Sequence, residues 1–142
     1  SLPMANGDLI EVRVPVGPEA AQQLRLLHKG PIGSKVLATL PLLTGVRVME
    51  YEGHVFIGGM PPKNASTAEI YEWNGNALIK HDPFPGCMAI GSLNFVNGAL
   101  HVVGYEPGHG EPQERYLSET GEWKIVGTVN EVVPRIEVVP EE

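Results

Sequence analysis

From residue 46 onward, apolar and polar residues alternate in short runs, each closed by glycine, asparagine or proline, and no run keeps a helical period. The pattern predicts strands at 46–51, 54–59, 68–73, 77–80, 89–96, 99–104, 114–118 and 122–127. Glu52-Gly53, Asn74-Gly75, Asn97-Gly98 and Thr120-Gly121 are the expected tight turns, because Asn and Gly accept the positive φ that two-residue hairpins require. Nearer the start, Ile10 to Val16 alternates as a half-buried strand does, and Pro15 marks its end at a sheet edge. Lys35 to Leu40, closed by Pro41, predicts another strand. Arg135 to Pro140 alternates again, and a C-terminal strand of this kind can pair with the sheet holding the first strand or with a neighbouring subunit.

One segment reads differently. Gly17 to Gly30 predicts a single N-terminal helix: Pro18 suits the first helical position, and Glu19 meets the positive end of the dipole. His28 and Lys29 meet the negative end, and Gly30 suits a left-handed cap. Ala20, Ala21, Leu24 and Leu27 then share one face, which is expected to cover a sheet or a subunit contact.

The strands carry a repeat. Gly53 recurs as Gly98, Gly59 as Gly104 and Tyr71 as Tyr116, at a constant spacing of 45 residues. Each unit reads as an apolar strand ending in glycine, a polar loop, a Tyr-bearing strand, a tight turn and a further strand. Residues 46–85 and 86–130 form the two clear units, residues 8–45 a degraded third, and residues 131–142 a C-terminal strand with an acidic tail. Ser1-Leu2-Pro3, ahead of Met4, reads as a cloning remnant and is set outside the fold.

Val55-Phe56-Ile57-Gly58-Gly59 resembles the apolar run and double glycine of a kelch repeat, and Tyr116 with Trp123 is similar to that repeat's Tyr and Trp. Both copies depart from the pattern: Leu78 stands in the first copy's Trp slot, and Val103-Gly104 replaces the second copy's glycine pair. The resemblance implies four-stranded antiparallel blades of a β-propeller and binding of other proteins through loops. The fold class expected is therefore mainly β, a partial propeller of blade-like repeats with one helix; a β-sandwich or barrel is the alternative. A propeller closes with about four to eight blades. Two or three units leave apolar faces and strand edges uncovered, so a homo-oligomer is expected, for instance two chains of three blades.

Composition narrows the partners. The chain has 142 residues, enough for one domain with its own core, and a net charge of −7. Residues 104–142 hold nine glutamates against Arg115, Lys124 and Arg135, so the acidity is concentrated at one end and argues against nucleic acid. Cys87 is the single cysteine; it makes no disulfide within the chain and reads as a small buried apolar residue. No run of eighteen apolar residues suits a membrane span. A cytoplasmic or virion-associated setting is expected over a disulfide-rich extracellular one, though a secreted chain with its signal removed stays open.

No catalytic spacing stands out, and no enzyme activity or cofactor is expected. Gly91-Ser92-Leu93 lacks the flanking glycine of a nucleophile elbow, and Gly30 to Lys35 lacks the spacing of a phosphate loop. The loops 60–67 and 105–113 occupy equivalent places in the two units. They are expected to emerge on one edge and to present Lys63 and Asn64 from the first, Glu106, His109 and Glu111 from the second, as a surface for another protein. His101, His109, Glu106 and Glu111 are the one set that loop return can gather around a metal, but a solvated acidic loop is the expected reading and no metal site is assigned. Trp73, beside the Asn74-Gly75 turn, is similar to the stacking tryptophan of propeller lectins; carbohydrate binding is the alternative function, with packing beside Tyr71 its plainer role.

Overall fold

A computed structural model describes residues 2–4, 6–14, 23–62, 67–81, 86–106, 111–128 and 139–140. Three antiparallel meanders follow one another along the chain. The first sheet runs β1 (Leu2–Pro3), β2 (Leu9–Val14), β3 (Gln23–Gly30), β4 (Gly33–Pro41); the second runs β5 (Thr44–Tyr51), β6 (His54–Met60), β7 (Glu69–Trp73), β8 (Leu78–His81). The third runs β9 (Ala89–Val96), β10 (Ala99–Tyr105), β11 (Gln113–Leu117), β12 (Trp123–Thr128). A short β13 (Val139–Pro140) joins the first sheet parallel to β2, opposite Arg13 and Val14, while β1 pairs with Leu9 and Ile10 of the same strand. The C-terminal strand thus returns to the sheet that holds the first long strand.

The turns follow from local chemistry. Glu52-Gly53 and Asn97-Gly98 are two-residue hairpins in which both residues have positive φ (48° and 85°, 50° and 79°), the twist that matches paired strands. The Asn74 turn is held by its own side chain, whose Oδ1 accepts from the Asn76 and Ala77 backbone N–H groups.

The three sheets form a row with two cores between them. Ile10, Val12, Leu24, Leu26 and Leu40 of the first sheet close on Val48, Val55, Ile57 and Tyr71 of the second. Phe56 and Ile70, from the opposite face of the second sheet, close on Cys87, Ile90, Leu93, Leu100 and Val102. The second sheet is buried on both faces. The double glycine serves this packing: a Cβ on Gly58 would lie 2.6 Å from Ile90 Cδ1, and one on Gly59 would lie 2.9 Å from the Thr44 carbonyl. Among the described residues the row does not close into a ring.

Three expectations are corrected. No helix occurs among the described residues, and the second half of the expected N-terminal helix is β3; residues 17–22 lie outside the described set. The segment has helix-forming residues, yet Leu24, Leu26 and His28 alternate to one side, and β3 is hydrogen-bonded to β2 and β4 on both edges. Pairing and burial override the local preference. Gly30 is no helix cap; it faces Gly33 across the Pro31-Ile32 hairpin. Leu2 and Pro3, set aside on the sequence, belong to the first sheet, and Leu2 packs on its core.

The third correction concerns the repeat. β6 and β10 correspond at 45 residues, as do β5 and β9, but Ile57 faces Tyr71 whereas its counterpart Val102 faces Arg115. The third strands therefore correspond at 44. The connection before β11 is one residue shorter and the turn after it one longer, because Trp73 pairs with Leu78 and Leu117 with Trp123. A slip of one residue reverses a side chain's face. Tyr71 points into the first core, while Tyr116 lies beside His101 on the far side of the third sheet. Among the described residues no helix is long and apolar enough to cross a membrane.

Candidate functional site

Alternation and register place Tyr51, His54, Phe56, Ile70, Glu72 and His81 on the face of the second sheet that looks toward the third. Phe56 and Ile70 fill the second core; beyond them the sheets flank an open cleft of about 780 Å³. Its far side comes from Phe95, the Asn97-Gly98 turn, Leu117 and the 118–120 turn of the third sheet.

Glu72 lies at the centre of this lining. Its Oε2 is 2.6 Å from His54 Nδ1 and its Oε1 is 2.7 Å from His81 Nε2, and its side chain is 13% exposed. Burial pushes the carboxyl upward, but the hydrogen bonds from His54 and His81, with the charge those rings carry when protonated, outweigh it and hold the group below its ordinary value. An ionised carboxylate only accepts, so both imidazole nitrogens facing it carry hydrogen. In the neutral rings this fixes the tautomers and leaves His54 Nε2 and His81 Nδ1 as lone-pair acceptors.

An aromatic wall stands beside the clamp. Tyr51 and Phe95 stack with ring centroids 4.5 Å apart and planes within 2°, and Phe56 tilts against Phe95 at 5.1 Å. The charged residues in the lining are Glu52, Glu72 and Glu119 against Lys124, and the Lys124 ammonium is 3.2 Å from the Glu122 carboxylate. The cleft can bind and orient a ligand. Neither imidazole of the clamp meets a hydroxyl or thiol among the described residues, so a nucleophile set up for activation is not part of this arrangement.

The residues singled out on the sequence lie elsewhere. Trp73 is half-buried and packs against the first core, on the side away from the cleft. Glu106 forms an ion pair with Arg115 at 3.0 Å, and Glu111 is exposed, its carbonyl accepting from the Gln113 side chain. Lys63, Asn64 and His109 fall outside the described residues. His101 pairs with Glu114 at 2.6 Å, not with Glu106 or Glu111, and among the described residues no group of three or more His, Cys, Asp or Glu is arranged to hold a metal. Cys87 is buried in the second core; burial and, to a lesser degree, the Glu106 charge push its thiol up to about 12, against smaller opposing effects of the Ala89 backbone and Arg115.

The sequence reading missed Tyr51, His54, Glu72, His81 and Phe95 as a group. A signal was present: with the 52–53 and 74–75 turns fixed, alternation puts residues 54, 72 and 81 on one face of adjacent strands. No protein-family model matches the chain, and no curated protein matches it in sequence.

Proposed function

We propose that the chain is a non-enzymatic interaction and assembly module that associates with further copies of itself and with another protein. The reading rests on one observation: three sheets share two cores, and the outer strand of each sheet carries exposed apolar side chains. Val36 on β4 is 48% exposed, Ile79 on β8 40%, and Ile125 and Val126 on β12 71% and 52%. Strand edges of this kind attract further strands or sheets.

The kelch-like glycine pair and the four-stranded meanders support blades of a propeller. Three blades fall short of the four that a ring requires, whereas two chains supply six. Sedimentation equilibrium at several dilutions tests this. The expected species has twice the 15.3 kDa chain mass, and Val126→Glu shifts it toward the monomer. A wild-type monomer at all concentrations up to about 100 µM refutes the self-association, since a stable interface of standard size holds well below that concentration.

A further inference from the structure

Four carboxylates of the described residues have a permanent cation beside them, while Asp8 and Glu114 each meet a single imidazole, His28 and His101. Glu11 meets Arg13 and Lys29, Glu69 meets Lys80, Glu106 meets Arg115, and Glu122 meets Lys124. Glu72 is different. Its partners are two imidazoles, and among the described residues no lysine or arginine pairs with it, although its carboxyl is held in the ionised form in a largely buried position. A partly buried carboxylate whose only partners are imidazoles, which carry a full positive charge only when protonated, is set to gain from a permanent cation supplied from outside.

The rest of the lining agrees in kind. Glu72, Glu52 and Glu119 are acceptors, and Lys124 is engaged with Glu122. Ammonium and guanidinium groups are all donor and no acceptor, the complement of such a lining. A sugar hydroxyl presents both and gains less from it. Tyr51 and Phe95 offer an aromatic surface against which a cation can be held. The volume, about 780 Å³, accommodates the body of a ligand as well as its charged head.

We propose that the cleft between the second and third sheets is a binding site for a cationic group, an ammonium or guanidinium, with Glu72 as its counter-charge and Tyr51 and Phe95 as its aromatic wall. The site is complete within one chain and does not depend on self-association.

The cation belongs either to a free amine or to a lysine or arginine side chain on a partner, and the probes separate the two. Agmatine and capped Gly-Arg-Gly are titrated into the full chain while the Tyr51 and Phe95 ring resonances are followed by NMR, with capped Gly-Gln-Gly and methyl galactoside as neutral probes. Both cationic probes are expected to shift the two rings saturably and the neutral ones to leave them unmoved. Tighter binding of the peptide assigns the site to a partner's side chain, and tighter agmatine assigns it to a free amine. Glu72→Gln is expected to weaken binding at least about tenfold, the loss of one charge-assisted contact. The exposed rim pair Glu52→Gln with Glu119→Gln, which leaves the packing untouched, is expected to weaken it about two- to threefold, as solvent-exposed charges do. The proposal is overturned if no cationic probe shifts the rings below about 10 mM, a limit that marks affinity under 3 kcal/mol. It is equally overturned if the rim variant binds as wild type does, or if methyl galactoside saturates the site and the cations do not.

Discussion

The two adjacent glycines of β6 give the sharpest test of the packing, because they are neighbours in sequence and face different constraints. Neither is among the residues with positive φ, so the demand on both is for space. At Gly58 an added methyl meets the Cδ1 of Ile90 at 2.6 Å, the free end of a side chain that can turn away. Moving it by about 1 Å to ordinary contact costs roughly 0.5–1.5 kcal/mol in rotamer energy. Reduced freedom of the unfolded chain returns about 0.4–1 kcal/mol, so Gly58→Ala is expected to be nearly neutral, at most about 1 kcal/mol destabilising. At Gly59 the methyl meets the Thr44 carbonyl at 2.9 Å and Leu43 Cβ at 3.0 Å, and neither can turn aside: Thr44 is paired to Met60 and Leu43 is buried. Overpacking against fixed atoms costs about 1–3 kcal/mol, leaving a net loss near 1–2 kcal/mol, or a fall in Tm of roughly 3–8 °C. Urea unfolding and thermal melts of both variants measure the difference. A third variant, Gly58→Ala with Ile90→Val, removes the clashing Cδ1; its loss is expected to be smaller than the sum of the single changes by about 0.5–1 kcal/mol. Gly59→Ala as stable as wild type refutes the tight packing of β6 on the start of β5, and strict additivity of the Gly58 and Ile90 changes refutes the close approach of the second and third sheets.

Four further outcomes are expected. Leu24→Ala and Leu26→Ala each cost about 2–5 kcal/mol in urea unfolding, because in a strand both point into the core; a helix would bury one and spare the other. Glu72 has a lowered pKa, so it contributes stability above its ordinary value of 4.5 and loses it as pH falls further; the urea midpoints of wild type and Glu72→Gln are expected to differ at pH 6 and converge toward pH 3. Glu11 is also lowered, its burial outweighed by Arg13 and Lys29, and Glu11→Gln should show the same convergence on acidification. Cys87, fully buried with its thiol raised to about 12, should resist an aromatic disulfide reagent at pH 8 in the native protein and react in urea.

The strands from residue 44 to 128 were legible because each is bounded by a turn whose residues have a conformational reason to be there. Glu52-Gly53 and Asn97-Gly98 fix the hairpins to the residue, and the eight strands between and beyond follow within one or two positions. β3 was not legible, because Ala, Gln, Leu and Arg favour a helix locally and only pairing with β2 and β4 decides otherwise. The cleft was hidden for a related reason. Its residues sit on four consecutive strands and across a second sheet, and their meeting depends on register, which a periodicity argument leaves open. The surface expected from the two long loops falls largely on residues 63–66 and 107–110, outside the described set.

The register slip between the second and third sheets also explains why one face became a cleft and its counterpart did not. Carrying Tyr51 and His54 forward by 45 residues and Glu72 by 44 leads to Val96, Ala99 and Tyr116, and His81 leads to the bulge at Val126 and Gly127. The clamp therefore has no copy in the third sheet. In its place stand Val96, 40% exposed, Ala99, Tyr116 and Val126, 52% exposed, beside the His101–Glu114 pair, on the face that has no further sheet against it among the described residues. Had the Tyr-bearing strands matched at 45, position 116 would face the second core, and Tyr71 and Tyr116 would do the same work. The paired change, one residue lost before β11 and one gained after it, keeps the backbone ladder while exchanging which side chains look outward. The inner sheet thereby presents charge and acceptors to the open cleft, and the end sheet presents exposed Val96 and Val126 at its outer face, so a single Val126→Glu should disturb the proposed association while leaving the binding of cations between the second and third sheets intact.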